Sequence, residues 1–354
     1  MAKPTIANVA ELAGVSQATV SRALRGATNV TEETRIKVQR AADQLNFTLS
    51  KSASALASGK TMRVILLVSG KLNEWFNSGV LQGVYEELAP VGYDVTPAFI
   101  TDRSELDRFF SQLPKSRNAD AIIISSFQLM PAMRDQLQAI DLPTVGVNVP
   151  AESGYFDASI SIDNSSAMTM AVRLLRSLGH TNIAFCSDYI PADMVYNTSQ
   201  RTQAFADAAQ ANATDGITFS LLTADAHDAP LSKSDLASQL TAKLLSLPER
   251  PTAVCVETDQ VAIALVKELR KQQLNVPEDI SVLGFDDAEI AQAADLSTIR
   301  QEPIELGRIA GRKVLQLLRN EPLEHPHELQ DPWCCATPQA ALTAGRRRRN
   351  KSAS

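Results

Sequence analysis

The chain has 354 residues, 44% hydrophobic and 21% charged, an ordinary globular composition that leaves room for two or three domains and excludes collagen-like, disulfide-knot and intrinsically disordered chains. The formal net charge of -6 is unevenly spread: residues 1–60 carry eight Lys or Arg against four acids, residues 346–354 carry five basic residues and no acid, and the body between stands at -15. A basic head and tail on an acidic body point to a nucleic-acid-binding end joined to a part that must not bind nucleic acid, with a solvated basic face as the plainer alternative.

In chain order, Ile6, Val9, Ala10 and Ala13 recur at helical spacing after Thr5, a natural N-cap, and Gly14 stops that helix. Ser16 caps a second helix whose Val20, Ala23 and Leu24 face inward, which leaves Gln17, Ala18, Ser21 and Arg22 outward. This is a helix-turn-helix. A third helix is predicted from Thr31 through Ile36, Val38, Ala41, Ala42 and Leu45, with Glu32 and Glu33 against its N-terminal dipole. From Phe47 to Thr61 the chain turns to Ser, Ala and Lys with one large aliphatic, Leu56, too few apolar residues for an independently stable helix.

Beyond Met62, strand and helix patterns alternate: Val64 to Val68, Val80 to Val91, Tyr93 to Ile100, Leu106 to Leu113, Ala121 to Ile124 and Thr144 to Val147. A second set covers Ile183 to Cys186, Gln203 to Ala211, Ile217 to Leu222, Leu236 to Leu247, Ala253 to Val256, Val261 to Lys271 and Ile280 to Phe285. Two such sets predict two α/β lobes, each a doubly wound parallel sheet, with a ligand between them at the carboxyl ends of the strands.

Neither a run of about 18 apolar residues nor a charged-then-apolar leader is visible, so no membrane partner and a cytoplasmic location are expected. Cys186, Cys255, Cys334 and Cys335 lack metal spacing, and neither a metal nor a cofactor is expected. Phosphate-loop, His-Glu-x-x-His, Gly-x-Ser-x-Gly and Gly-x-Gly-x-x-Gly motifs are missing, so the cleft is expected to bind without turning over.

The stretch from Thr5 to Leu24, then Leu178-Gly179-His180, Pro277 to Asp287, Thr298-Ile299-Arg300-Gln301 and Leu306-Gly307, closely resembles the lactose repressor and galactose repressor family of bacterial regulators along the whole chain. The resemblance implies a homodimer with a helix-turn-helix head over residues 1–48, a hinge helix over 49–61 and a periplasmic-binding-protein-like core over 62–345. The core would divide into a first lobe of about 62–162 and 293–322 and a second of about 163–292 and 323–345, the chain crossing between them three times. Residues 346–354, with the Arg346 to Arg349 run, are expected to be a disordered basic tail. Three departures stand out: Phe47-Thr48-Leu49-Ser50 lacks the family's Pro and Asn before the hinge, Asn8 replaces an Asp, and Trp333-Cys334-Cys335-Ala336 lacks an Arg common in the last strand.

For double-stranded operator DNA, Gln17, Ala18 and Arg22 are the expected base readers: Arg22 forked onto guanine, Gln17 on adenine, the Ala18 methyl against a thymine methyl. Ser16, Thr19, Ser21 and Asn29 are assigned to phosphates or flanking edges. By resemblance, Leu56 wedges into the minor groove beside its copy and kinks a near-palindromic site. The alternatives are a helical hairpin for protein contacts and a packed linker leucine.

The resemblance also places effector contacts at Trp75, Asn148, Arg201, Asp259 and Asp286, residue types that suit a neutral sugar: an aromatic plane for a C-H face, a guanidinium fork, and carboxylates and an amide for hydroxyls. The competing roles are a lobe cap for Trp75, a turn brace for Asp286 and a helix-surface position for Arg201. A nucleobase, nucleoside or other non-sugar effector, or a protein co-regulator, is the alternative source of control.

Overall fold

The computed structural model describes residues 4–24, 29–47, 60–116, 118–149, 155–189, 196–226 and 231–335. The hinge around Leu56 and the Arg346 to Arg349 tail lie outside them. Two compact units emerge, a helical head and an α/β core.

The head comprises α1 (Ile6–Ala13), α2 (Gln17–Leu24) and α3 (Glu32–Gln44). The Thr5 hydroxyl accepts from the Asn8 N–H while the Asn8 carboxamide oxygen accepts from the Thr5 N–H at 3.0 Å, a reciprocal capping box. Asn8 thus keeps the hydrogen-bonding part of an N-terminal acid's work. Gly14 ends α1 at φ +67°, in the left-handed region that a glycine enters without penalty. Ser16 caps α2 by accepting from the Thr19 N–H at 3.1 Å, and Thr31 caps α3. Val9, Ala10, Val20, Ala23, Val38, Ala41 and Ala42 form the core of the head. Ile36, expected to join it, is 44% exposed, because the buried stripe of α3 runs along Val38, Ala41 and Ala42.

The core contains two six-stranded sheets. The first has spatial order β11-β5-β4-β3-β1-β2, built from β1 (Arg63–Ser69), β2 (Asp94–Ile100), β3 (Ala121–Ser125), β4 (Thr144–Val147), β5 (Ala158–Ile162) and β11 (His327–Gln330). The second has order β12-β10-β9-β8-β6-β7, from β6 (Asn182–Ser187), β7 (Thr218–Thr223), β8 (Ala253–Val256), β9 (Ser281–Asp286), β10 (Ser297–Arg300) and β12 (Trp333–Cys335). β12 runs antiparallel to β10, while β6, β8 and β9 pair in parallel.

Continuous apolar strands are what a sheet covered on both faces requires. In the second lobe, Ala184, Cys186, Val254, Val256 and Val282 face α9 (Lys233–Ser246) and α10 (Asp259–Lys271). The alternate residues Ile183, Phe185, Cys255, Leu283 and Phe285 face α7 (Asn164–Ser177) and α8 (Asn197–Ala211). In the first lobe α4 (Trp75–Leu88) packs against α12 (Pro303–Leu318) so closely that a Cβ on Gly83 or Gly307 would collide with the backbone of the other helix. Among the described residues the other α-helices are α5 (Arg103–Ser116), α6 (Pro131–Ala139) and α11 (Glu289–Ala293).

The chain changes sheets after Ile162, after Arg300 and after Gln330. The lobe boundaries expected at 293 and 323 therefore shift. Ser297–Arg300 still belongs to the second sheet, paired with β9, and His327–Gln330 returns to the first, paired with β5. Both strands have four residues, too short to print a readable period, and the buried Lys313 of α12 secures β11 by donating to the Glu328 carboxylate. Among the described residues no helix is long and apolar enough to cross a membrane.

Candidate functional site

In the head, burial of Val20 and Ala23 turns the opposite face of α2 outward, and Gln17, Ala18 and Arg22 are exposed. Thr19 and Ser21 are half-buried beside them, and Ser16 and Asn29 are exposed. The Ser16 and Thr19 hydroxyls lie 2.9 Å apart, so the cap and its partner hold the first turn of α2. Six of the candidates, Ser16, Gln17, Ala18, Thr19, Ser21 and Arg22, thus lie on or directly before one helix, and Asn29 lies just before α3.

In the core, parallel strands of both sheets end at the cleft. At the end of β4, Asn148 adopts φ +51°, a conformation that asparagine tolerates better than most residues. Its carboxamide accepts from the Ile162 N–H at 3.3 Å and donates to Gln301 at 3.4 Å. Gln301, just past β10, donates to Asp286 Oδ1 at 2.6 Å. Asp286 closes β9 at φ +131° and lies 3.9 Å from Arg201 Nη1.

Arg201 rises from α8, is 2% exposed, and lays its guanidinium 3.6 Å over the Phe285 ring. It donates to the Glu257 carbonyl at 2.6 Å and to the Asn164 carboxamide at 3.3 Å, and Asn164 donates to Asn197 at 2.9 Å. The Asn197 N–H then reaches the Ser126 carbonyl of the first lobe at 3.0 Å, beside a backbone bridge between Phe127 and Tyr196. One belt of hydrogen bonds, closed by the Asp286–Arg201 ion pair, therefore joins the lobes at both of its ends. The surface alternative for Arg201 fails, because the residue is 2% exposed and its guanidinium bonds within the belt.

Burial dominates the electrostatics. It pushes the Glu257 carboxyl up to about 7, with Asp188 adding to the rise, and Asp286 up to about 6 against the pull of Arg201 and Gln301. Arg201 is lowered by the same burial, opposed by Asp286, Glu257 and Asp259. Buried Cys186, beneath Glu257, has its thiol pushed up.

Asp259 serves the turn that follows β9. It is 0% exposed, and its oxygens accept from the Thr298 hydroxyl at 2.6 Å and the Ala288 N–H at 3.0 Å. It lies against Gly284, where a Cβ would strike its carboxylate, and so braces the Gly284 to Ala288 turn from within. Trp75 occupies the first turn of α4 in an open groove of about 540 Å³ beside the belt, lined also by Gly79, Asp287, Gln301, Glu302 and Pro303. The structure thus brings Asn148, Arg201 and Asp286 together, reaches Trp75 only through the shared Gln301, and sets Asp259 in the turn after β9. Gln301, Glu257, Asn164 and Asn197 are additional members. Gln301 was visible as the end of the Thr298 to Gln301 landmark, and Glu257 as an ionisable residue directly after an all-apolar strand.

Residues 5–50 match the family described as bacterial regulatory proteins, lacI family, and residues 172–336 match a periplasmic binding protein-like domain. The HTH-type transcriptional repressor PurR of Vibrio cholerae serotype O1 (strain M66-2) is 30% identical over 330 residues, which span 92% of this chain and 94% of that protein. The lac repressor dimer bound to operator and the anti-inducer ONPF shares the fold, with a TM-score of 0.80 at 23% identity over 97% of this chain and all of that one. The transcriptional regulator CelR in complex with cellobiose gives a TM-score of 0.65 at 25% identity, also over 97% of this chain and all of that one. The chain belongs to the lacI family of bacterial regulatory proteins: it is a DNA-binding transcriptional repressor with an effector-binding core.

Proposed function

We propose that the protein represses genes of carbohydrate utilisation, binding a near-palindromic operator as a homodimer whose affinity is set by a small sugar in the interlobe cleft. The observation that carries this reading is the belt from Asn148 through Gln301 and Asp286 to Arg201, in which groups of both lobes present alternating donors and acceptors around a buried guanidinium. Vicinal hydroxyls exchange such bonds one for one, and a buried partner left unpaired costs about 1–3 kcal/mol. The likeness to a regulator solved with cellobiose supports the same class of effector.

At the operator, Arg22 takes guanine, Gln17 adenine and Ala18 a thymine methyl, with Ser16, Thr19, Ser21 and Asn29 on phosphates or flanking edges. Leu56 supplies the minor-groove wedge from the hinge. A sugar that prefers one arrangement of the lobes shifts the dimer toward it. The spacing of the two hinge segments changes, and helices too short to persist alone order or melt.

The test is tryptophan emission, since Trp75 and Trp333 are the only tryptophans. A panel of mono- and oligosaccharides is titrated into the protein and into Trp75→Phe. A saturable change lost in the variant supports the reading. Silence toward every sugar, with operator binding intact, overturns the sugar and moves control to a nucleobase, a nucleoside, another non-sugar effector or a protein co-regulator.

A further inference from the structure

Four adjacent strands of the second sheet, in spatial order β10, β9, β8 and β6, lead at their carboxyl ends into Gln301, Asp286, Glu257 and Asp188. The first-lobe group that meets this row, Asn148, is neutral, as is the Ser126 carbonyl that accepts from the Asn197 N–H. Asp286 is answered directly by Gln301 and Arg201. Arg201 spends its other bonds on the Glu257 carbonyl and on Asn164, not on the Glu257 carboxylate.

That carboxylate belongs to a residue only 5% exposed, held by the Asp188 N–H. Arg201 and the exposed Lys233 at the start of α9 act on it at longer range, and the Asp188 carboxyl opposes them. A buried carboxylate without a cation against it is costly, and its raised pKa reports that cost. A second, independent observation lies in the same belt. Asn197 is 2% exposed, and its carboxamide nitrogen has no hydrogen-bond partner among the described residues. The Thr258 hydroxyl, next to Glu257, is likewise enclosed without a partner and does not cap α10.

We propose that Glu257 determines specificity by receiving a primary ammonium group of the effector, which makes that effector an amino sugar rather than a neutral one. Asp188 stands beside the ammonium, while Asn197 and Thr258 complete its hydroxyl contacts. A neutral hydroxyl in the same place would hydrogen-bond to Glu257 but leave its charge unanswered. An anionic sugar would meet Asp188, Glu257 and Asp286 together and be repelled. The inference rests on the sugar reading of the cleft and narrows it.

The full-length protein is titrated by calorimetry with glucosamine, galactosamine and mannosamine, each beside its parent hexose and its N-acetyl derivative, which keeps the substituent and removes the charge. One amine is expected to bind about tenfold or more tightly than both of its uncharged counterparts. Glu257→Gln is expected to reduce that margin to about threefold or less, and Asp188→Asn to reduce it in part, with thermal melts showing that both variants fold. Equal binding of amine and parent hexose, or a margin that survives Glu257→Gln, overturns the inference and leaves a neutral-sugar cleft standing. Silence toward every compound overturns the inference, and the sugar reading itself then stands or falls on the mono- and oligosaccharide panel.

Discussion

Asp259 and Asp286 are carboxylates of the same lobe, both pushed up by burial, yet the structure employs them differently. Asp286 remains in the belt with Gln301 and Arg201, whereas Asp259 is consumed by Thr298 and the Ala288 N–H. Thr298→Val is therefore expected to destabilise the protein by about 1–3 kcal/mol, by leaving a buried oxygen unpaired, without removing any belt contact. Denaturant unfolding checks it, and a variant as stable as the parent would refute the brace.

The raised carboxyls also predict a pH dependence. Glu257 and Asp259 move from 4.5 and 3.8 to about 7, and Asp286 from 3.8 to about 6. Between the unfolded and folded values the folded chain holds more protons than the unfolded one. The contribution of these groups is thus fully present below about pH 4, falls as pH rises toward 7, and levels off above. Unfolding of the effector-free protein across that window checks the slope, and Glu257→Gln should flatten it; a slope unchanged in that variant contradicts the assignment. Asn148, Arg201 and Asp286 were named through the family resemblance, Asn148 and Asp286 at recognisable strand ends and Arg201 on a helix. Glu257 and Gln301 each carried a local signal, but their place in the belt was not legible, since only the lateral order of β10, β9, β8 and β6 makes neighbours of residues so far apart in sequence.

At the scale of elements, the head was legible almost residue by residue, because caps and helical periodicity are local. Thr5, Gly14, Ser16 and Thr31 each act where the sequence puts them. Thr31→Ala is expected to cost about 1 kcal/mol of head stability, read by thermal unfolding. The pairing of α4 with α12 was not legible, because Gly83 and Gly307 are separated by most of the core and neither interrupts its helix. Gly83→Ala sets a methyl against the Ile304 backbone, which cannot swing aside as a side chain would. It is expected to cost about 3 kcal/mol, at the upper end for overpacking, and a loss below about 0.5 kcal/mol would contradict the close approach.

For the whole molecule, the acidic body and basic head separate two tasks along one chain, and the sheet changes after Ile162, Arg300 and Gln330 let a ligand between the lobes act on both. Two α/β lobes could be read from the alternation of strand and helix, but the positions of the second and third crossings could not, because they depend on the short strands β10 and β11. On the DNA side, Arg22→Ala is expected to relax preference at one base step by about 1–3 kcal/mol, seen as a smaller gap between operator and mismatched DNA at fixed salt.

The central claim is that the cleft and the operator are coupled through one equilibrium. The decisive measurement is the affinity of the responding sugar for the protein alone and for the protein saturated with operator DNA. The account predicts two different values, in the same ratio by which that sugar changes operator affinity, about 1.4 kcal/mol for each tenfold. Identical values would contradict it.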